Sequence, residues 1–84
     1  IGDLNELFRE IYRILKPGAW FGFSLEKLAT GNFKLHTTGR YQHSLDYIKS
    51  LYKQYHFSKM YSQTIDLRME YGNMVDGYLV LLQK

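Results

Sequence analysis

Residues 3–26, DLNELFREIYRILKPGAWFGFSLE, decide the fold of this chain. Their first half predicts an amphipathic helix, because its apolar side chains recur at helical spacing. These side chains are Leu4, Leu7, Phe8, Ile11, Ile14 and Leu15. Pro17 lacks an amide donor and Gly18 allows a sharp turn, so the helix must end there. Residues 19–25, AWFGFSL, then predict a strand that is covered on both faces, since the run is apolar without alternation.

The remainder of the chain adds a helix and two strands. Residues 27–43 show no clean period and predict a long loop. Ser44 is a good helix cap, and the apolar residues that follow it predict a second helix. Ile65, Leu67 and Met69 alternate with charged residues, which indicates a strand with one face in water. A turn at residues 71–73 and an apolar run over residues 74–82 complete an antiparallel hairpin.

Composition limits the classes of function. The chain has 84 residues, 45% of them hydrophobic and 17% aromatic, which predicts one small globular domain over residues 1–84 or part of a larger one, and the helices and strands above make it α/β. It has no cysteine for a disulfide or a thiolate metal site. Its net charge of +3 is spread along the sequence, so nucleic acid is an unlikely partner. No segment has the length and apolar character of a membrane span or a signal peptide, and a cytoplasmic location is expected. Ile1 in place of an initiator Met suggests a piece of a longer protein.

Three segments together resemble one enzyme family. Residues 13–19, RILKPGA, are similar to the "RVLKPGG" segment of class I S-adenosylmethionine-dependent methyltransferases, with Ala19 at the second glycine of that pattern. Residues 37–57, TTGRYQHSLDYIKSLYKQYHF, and residues 67–84, LRMEYGNMVDGYLVLLQK, resemble predicted bacterial methyltransferases that carry tetratricopeptide repeats. His56 stands where members of the family often have Gly, so a left-handed backbone is expected there.

The resemblance implies the carboxyl-terminal half of a doubly wound, Rossmann-like sheet. The element order would be helix, strand, helix, strand, strand, and the last of the three strands would lie antiparallel in the middle. The donor is bound in this family by a glycine-rich loop in the other half, so no cofactor-binding residue is carried over to this sequence. We therefore expect S-adenosylmethionine to bind the parent enzyme but not this chain tightly. The chain alone would be inactive, and its methyl acceptor is unknown.

Four residues are candidates for the substrate side of a site. Glu26 ends the first strand, where ligands bind in open α/β sheets. Arg40 could bind an anion and His43 could move a proton, with Tyr41 between them. The structural alternative is that Arg40 and His43 pin the long loop and that Tyr41 packs under it. Arg68 and Glu70 are predicted to pair with neighbours across the hairpin. No His, Asp and Glu set has metal-ligand spacing.

A second hypothesis belongs to a different class of protein. Without further strands beside it, the strand over residues 19–26 would have an unpaired edge, and such an edge favours pairing with a second copy. The chain would then be a small non-catalytic interaction module that forms homodimers.

Overall fold

The fold is a mixed five-stranded sheet with two helices. It is described here by a computed structural model that covers residues 2–36 and 39–84. In chain order the elements are α1 (Asn5–Ile14), β1 (Trp20–Lys27), β2 (Phe33–Leu35), β3 (Tyr41–His43), α2 (Leu45–Gln54), β4 (Lys59–Glu70) and β5 (Asn73–Gln83). The strands lie in the order β2-β3-β1-β5-β4. The α/β class is confirmed, but the prediction of three strands is wrong.

The three long strands have the predicted arrangement. β5 lies between β1 and β4 and is antiparallel to both of them, so β1 and β4 run in the same direction. β5 pairs with β1 from Gly77 to Gln83 and with β4 along nearly its whole length. Its middle position explains why residues 74–82 are more apolar than β4.

The two short strands fall inside the segment that was predicted to be a loop. β3 is parallel to β1, with Gln42 beside Glu26 and His43 beside Lys27, and β2 is antiparallel to β3. Strands of three residues are too short to show a period of two, so their pattern could not be recognised in the sequence. Thr37 and Thr38, which open the second family-like segment, lie outside the described residues.

The core lies between the sheet and the two helices, on one face of the sheet. Phe8 of α1 packs edge-to-face against Phe23 of β1 and against Phe57, which follows α2. The buried hydrophobic residues form one cluster, made of Leu4, Phe8, Ile11, Tyr47, Ile48, Leu51, Phe57, Tyr78, Val80 and Leu82. The helices therefore hold the sheet from one side.

The opposite face of the sheet has no helix on it among the described elements. Trp20, Tyr61, Leu79 and Leu81 are partly exposed on this face, and the Trp20 ring stacks on Tyr61 with centroids 5.7 Å apart. Burial accordingly alternates along β1. The expectation that β1 is covered on both faces is not met by the residues described, and we call this surface the open face.

The helix boundaries follow local chemistry in most places. Ser44 caps α2 as predicted, since its Oγ accepts a hydrogen bond from the Tyr47 backbone N–H at 3.1 Å. His56, with φ of 63°, ends α2 in the expected left-handed conformation. After α1, the Ala19 N–H donates to the Lys16 carbonyl and closes a turn in which Gly18 has φ of 81°. This turn directs the chain from α1 into β1.

Candidate functional site

Glu26 lies near the carboxyl end of β1, at the edge of the sheet where β3 and β4 also end. Parallel strands place their carboxyl ends at one edge, which is where open α/β sheets bind ligands. Only 11% of the Glu26 side chain is exposed, and its Oε2 lies 3.2 Å from Nη2 of Arg68, a side chain that is 29% exposed. A charge enclosed to this degree needs a partner, and Arg68 is that partner.

The ion pair spans the sheet from β1 to β4, across β5. Arg68 was predicted to pair with a neighbour across the hairpin, and its ion pair with Glu26, two strands away, was not anticipated. The β5 residue opposite Glu26 is Gly77, and a Cβ at Gly77 would lie 2.4 Å from both the Leu25 carbonyl oxygen and Leu67 Cδ1. The register of β4 shifts between Asp66 and Arg68, which leaves Leu67 without a partner on β5. The small residue and the bulge together let the two side chains meet.

Glu26 also lines two cavities. The first has a volume of about 360 Å³. It is lined by Glu26, Lys27, Ala29, His36, Gln42, Met74, Val75 and Asp76. The second has a volume of about 270 Å³. It is lined by Ser24, Leu25, Glu26, Tyr41, His43, Leu67 and Arg68. Both volumes lie near the lower limit for small-molecule sites. Glu26 is the charged group that the two cavities share.

Of the predicted site residues, Glu26, Tyr41 and His43 meet at the second cavity. Arg40 is exposed on the turn before β3, where its carbonyl accepts a hydrogen bond from the His36 N–H at 2.7 Å. It is not among the described residues that line either cavity. Arg68 is a member of the site that the sequence analysis missed. Gly77 is the feature of the sequence that could have indicated it, because a glycine on β5 leaves room for the side chains of Glu26 and Arg68 to meet across that strand.

His43 has a structural contact of its own. Its Nε2 lies 2.9 Å from the Gly2 carbonyl oxygen, and because a carbonyl only accepts hydrogen bonds, Nε2 carries a proton. The ring is buried and stacks against Tyr47, with centroids 6.2 Å apart and an interplanar angle of 15°. This contact matches the alternative in which His43 pins the segment around it. A role in proton transfer through Nε2 would require this bond to break.

Tyr47 ties the start of the chain to α2. Its hydroxyl accepts a hydrogen bond from the Leu4 backbone N–H at 2.9 Å and donates to Asp3 Oδ1 at 3.4 Å. Burial raises the pKa of Tyr47 above that of a free tyrosine. The backbone N–H of Asn5, and then its side chain, lower the pKa of Asp3. Gly2 fits against the Phe33 and Tyr41 rings, which would lie 2.6 and 2.7 Å from a Cβ at that position. These contacts hold residues 2–4 against β2, β3 and α2.

The described residues do not form a cradle for a nucleoside-containing donor. Such a cradle needs a strand, a glycine-rich turn and a helix in succession. In the described part of the chain, β1 leads to β2 instead of a helix, and β3 is separated from α2 only by Ser44. In residues 2–36 and 39–84 there is also no group of three or more His, Cys, Asp or Glu residues that could hold a metal ion.

Comparison with known proteins adds no assignment. No protein-family model matches the chain, and no curated protein matches it either. Within the described residues, neither helix has the length and apolar character that crossing a membrane requires.

Proposed function

We propose that this chain is the carboxyl-terminal, substrate-side portion of a class I S-adenosylmethionine-dependent methyltransferase, without activity of its own. The observation that carries the proposal is the position of β5, which is antiparallel between two strands that run in the same direction. This order is the one that the resemblance of the LKPG segment implies, and it follows that segment in the chain. This strand order limits the choice of families more than the α/β class alone does.

The site agrees with a substrate-side role. Glu26 is enclosed at the carboxyl edge of the sheet, beside two cavities, and it is held by Arg68. A carboxylate held in this way has a defined position, and a defined position is what binding and orienting a substrate require. The proposal places the donor site in the other half of the parent enzyme and not in these 84 residues.

Calorimetry with S-adenosylmethionine tests the proposal. The natural gene product that contains these residues and the 84-residue chain are titrated separately, and ATP serves as a control ligand that shares only the adenosine. We expect micromolar binding of the donor to the longer protein and no measurable binding to the chain alone. Tight binding to the chain would show that the donor site lies within it. A longer protein that binds no donor would contradict the assignment to methyltransferases.

A second candidate function rests on the edge of β1. β3 pairs with β1 only at Glu26 and Lys27, so residues 20–25 have no strand on that side among the described residues. This stretch carries neither a charge nor a proline, the features that keep strand edges from pairing. The alternative is therefore an interaction module that pairs β1 with β1 of a second copy.

Sedimentation over a concentration series separates this candidate from the first. If β1 pairs with a second copy, the chain forms dimers as its concentration rises, and Ser24→Lys at the edge abolishes them. Gln63→Lys is the matched control, because Gln63 lies opposite the same β5 residue, Leu79, but on β4, the strand at the other edge of the sheet. A chain that stays monomeric throughout, or equal loss of dimer in both variants, would rule out the second candidate.

A further inference from the structure

We propose that the outer edge of β4 binds the same edge of a second copy of this chain, so that the two sheets join into one. The two strands pair antiparallel about a two-fold axis at Gln63. The inference goes beyond the proposed function and does not rest on it, because it depends only on β4 and on the position of β4 in the sheet. It also concerns a different edge from that of β1.

β4 is the outermost strand at one side of the sheet. It pairs with β5, and in the described part of the chain no strand lies on its other side. The outermost strand at the opposite side, β2, has only three residues, whereas β4 has twelve. A short outer strand offers few free backbone groups to another chain, and a long one offers a whole row of them. β4 is therefore the outer strand to which a further strand can add.

The sequence of β4 limits where such pairing can occur. Residues 60–65, MYSQTI, contain neither a charge nor a proline, the features that usually protect an outer strand. Lys59 and Asp66 flank this stretch, and the bulge between Asp66 and Arg68 interrupts its regular pairing with β5. The free edge is thus an uncharged segment of β4 with a cation at its start and an anion at its end.

The two flanking charges favour a second copy in antiparallel orientation. In this orientation the Lys59 end of one strand lies beside the Asp66 end of the other, and this happens at both ends of the pair. A parallel pair would place each of these charges beside its own counterpart, which repels it. Lys59 and Asp66 point to different faces of the sheet, so their charges orient the two strands without forming an ion pair.

The faces of the sheet determine the register. A two-fold axis between two antiparallel edges keeps the open faces of both copies on one side, so each residue lies opposite one that points to the same face. Tyr61, Gln63 and Ile65 point to the open face, and Ser62 and Thr64 point to the helix side. With the axis at Gln63, Tyr61 lies opposite Ile65 of the second copy, and Ser62 lies opposite Thr64. Aromatic residues with β-branched residues, and serine with threonine, are favourable pairs across strands. An axis at Ser62 would lose both kinds of pair.

The short length of this edge makes the dimer weak. Pairing of one strand edge buries less than the roughly 800 Å² per partner of a standard interface. Sedimentation equilibrium is therefore measured over a series of concentrations up to about 1 mM, the range of weak association. We expect the chain to be monomeric at the low end of the series and to form dimers, without larger species, as its concentration rises.

Charge variants at the axis test the pairing. Gln63→Lys and Gln63→Glu each place two like charges opposite each other, and we expect each variant alone to have a dissociation constant at least about fivefold above that of the unchanged chain. In an equimolar mixture the introduced lysine lies opposite the introduced glutamate. The mixture should therefore dimerise with a dissociation constant at least about fivefold below that of either variant alone. Ser24→Lys is the matched control, because it adds the same charge opposite the same β5 residue, Leu79, but on β1.

Four results would overturn the proposal. They are a chain that stays monomeric throughout the series, dimers that Gln63→Lys leaves unchanged, equal weakening by Ser24→Lys, and a mixture of the two Gln63 variants that does not recover dimers. Weakening by Ser24→Lys alone would assign the dimer to the edge of β1. Gln63 is exposed, so its variants should unfold within about 0.5 kcal/mol of the unchanged chain, which urea unfolding checks.

Discussion

At the scale of single residues, Gly77 controls the geometry of the candidate site. A Cβ at this position would lie 2.4 Å from the Leu25 carbonyl oxygen, which belongs to the backbone of β1. That oxygen cannot move without disturbing the pairing of β1 with β5. The Glu26–Arg68 ion pair, which spans the sheet past Gly77, would be displaced with it.

We therefore predict that Gly77→Ala lowers the free energy of unfolding by about 1–3 kcal/mol, the usual cost of overpacking. Gly22→Ala on β1 is the matched control. A Cβ there would lie 2.9 Å from Leu81 Cδ2, the end of a partly exposed side chain that can rotate away. Urea unfolding monitored by circular dichroism measures both variants, and equal midpoints would contradict this account of Gly77.

The sequence predicted some site residues better than others for physical reasons. Glu26 could be placed because a strand end is a local feature of the chain. The pairing of Glu26 with Arg68 could not be predicted, because it depends on the absence of a side chain at Gly77 on β5 and on the bulge in β4. Residues 66–70 show no pattern that indicates either feature. Arg40 and His43 were grouped by their closeness in sequence. The structure separates them, with one side chain exposed and the other buried against Tyr47.

At the scale of secondary structure elements, periodicity and turn chemistry correctly predicted the features that local interactions determine. Both helices, the three long strands and the left-handed end of α2 at His56 are such features. The start of α1 does not follow its local sequence pattern. Asp3 and Glu6 have the spacing of a capping box, but α1 begins after Leu4 without a side-chain cap, and Asp3 Oδ1 instead accepts hydrogen bonds from the backbone and side chain of Asn5. The contact of Tyr47 with Leu4 and Asp3, which are distant in sequence, fixes this region.

The short strands β2 and β3 show the limit of local patterns. Phe33 and Tyr41 belong to an aromatic group that also contacts His43 and Tyr47. Contacts of these rings with Tyr47 of α2 and with Gly2 hold a segment that has no period of its own. A loop whose side chains pack on two other elements becomes part of the sheet, and only the tertiary contacts reveal this.

At the scale of the whole molecule, the two faces of the sheet differ in what they contribute to stability. Both helices pack on one face, and the residues of β5 alternate between that face and the open one. Leu82 has 0% of its surface exposed, whereas its neighbour Leu81 has 39% exposed on the open face. The two leucines are adjacent on one strand and have the same volume and strand propensity. A comparison of the two therefore shows how the face of the sheet affects stability.

We predict that Leu82→Ala lowers the free energy of unfolding by about 2–5 kcal/mol, because it removes core contacts and leaves a cavity. Leu81→Ala should cost less, about 1–1.5 kcal/mol, since that side chain is only partly buried and its removal leaves no closed cavity. The two midpoints are compared by urea unfolding under the same conditions. Similar losses in both variants would mean that the open face is covered in solution, as it would be if a second copy packed on it. The pair of variants therefore reports both on the position of the core and on whether the open face has a partner.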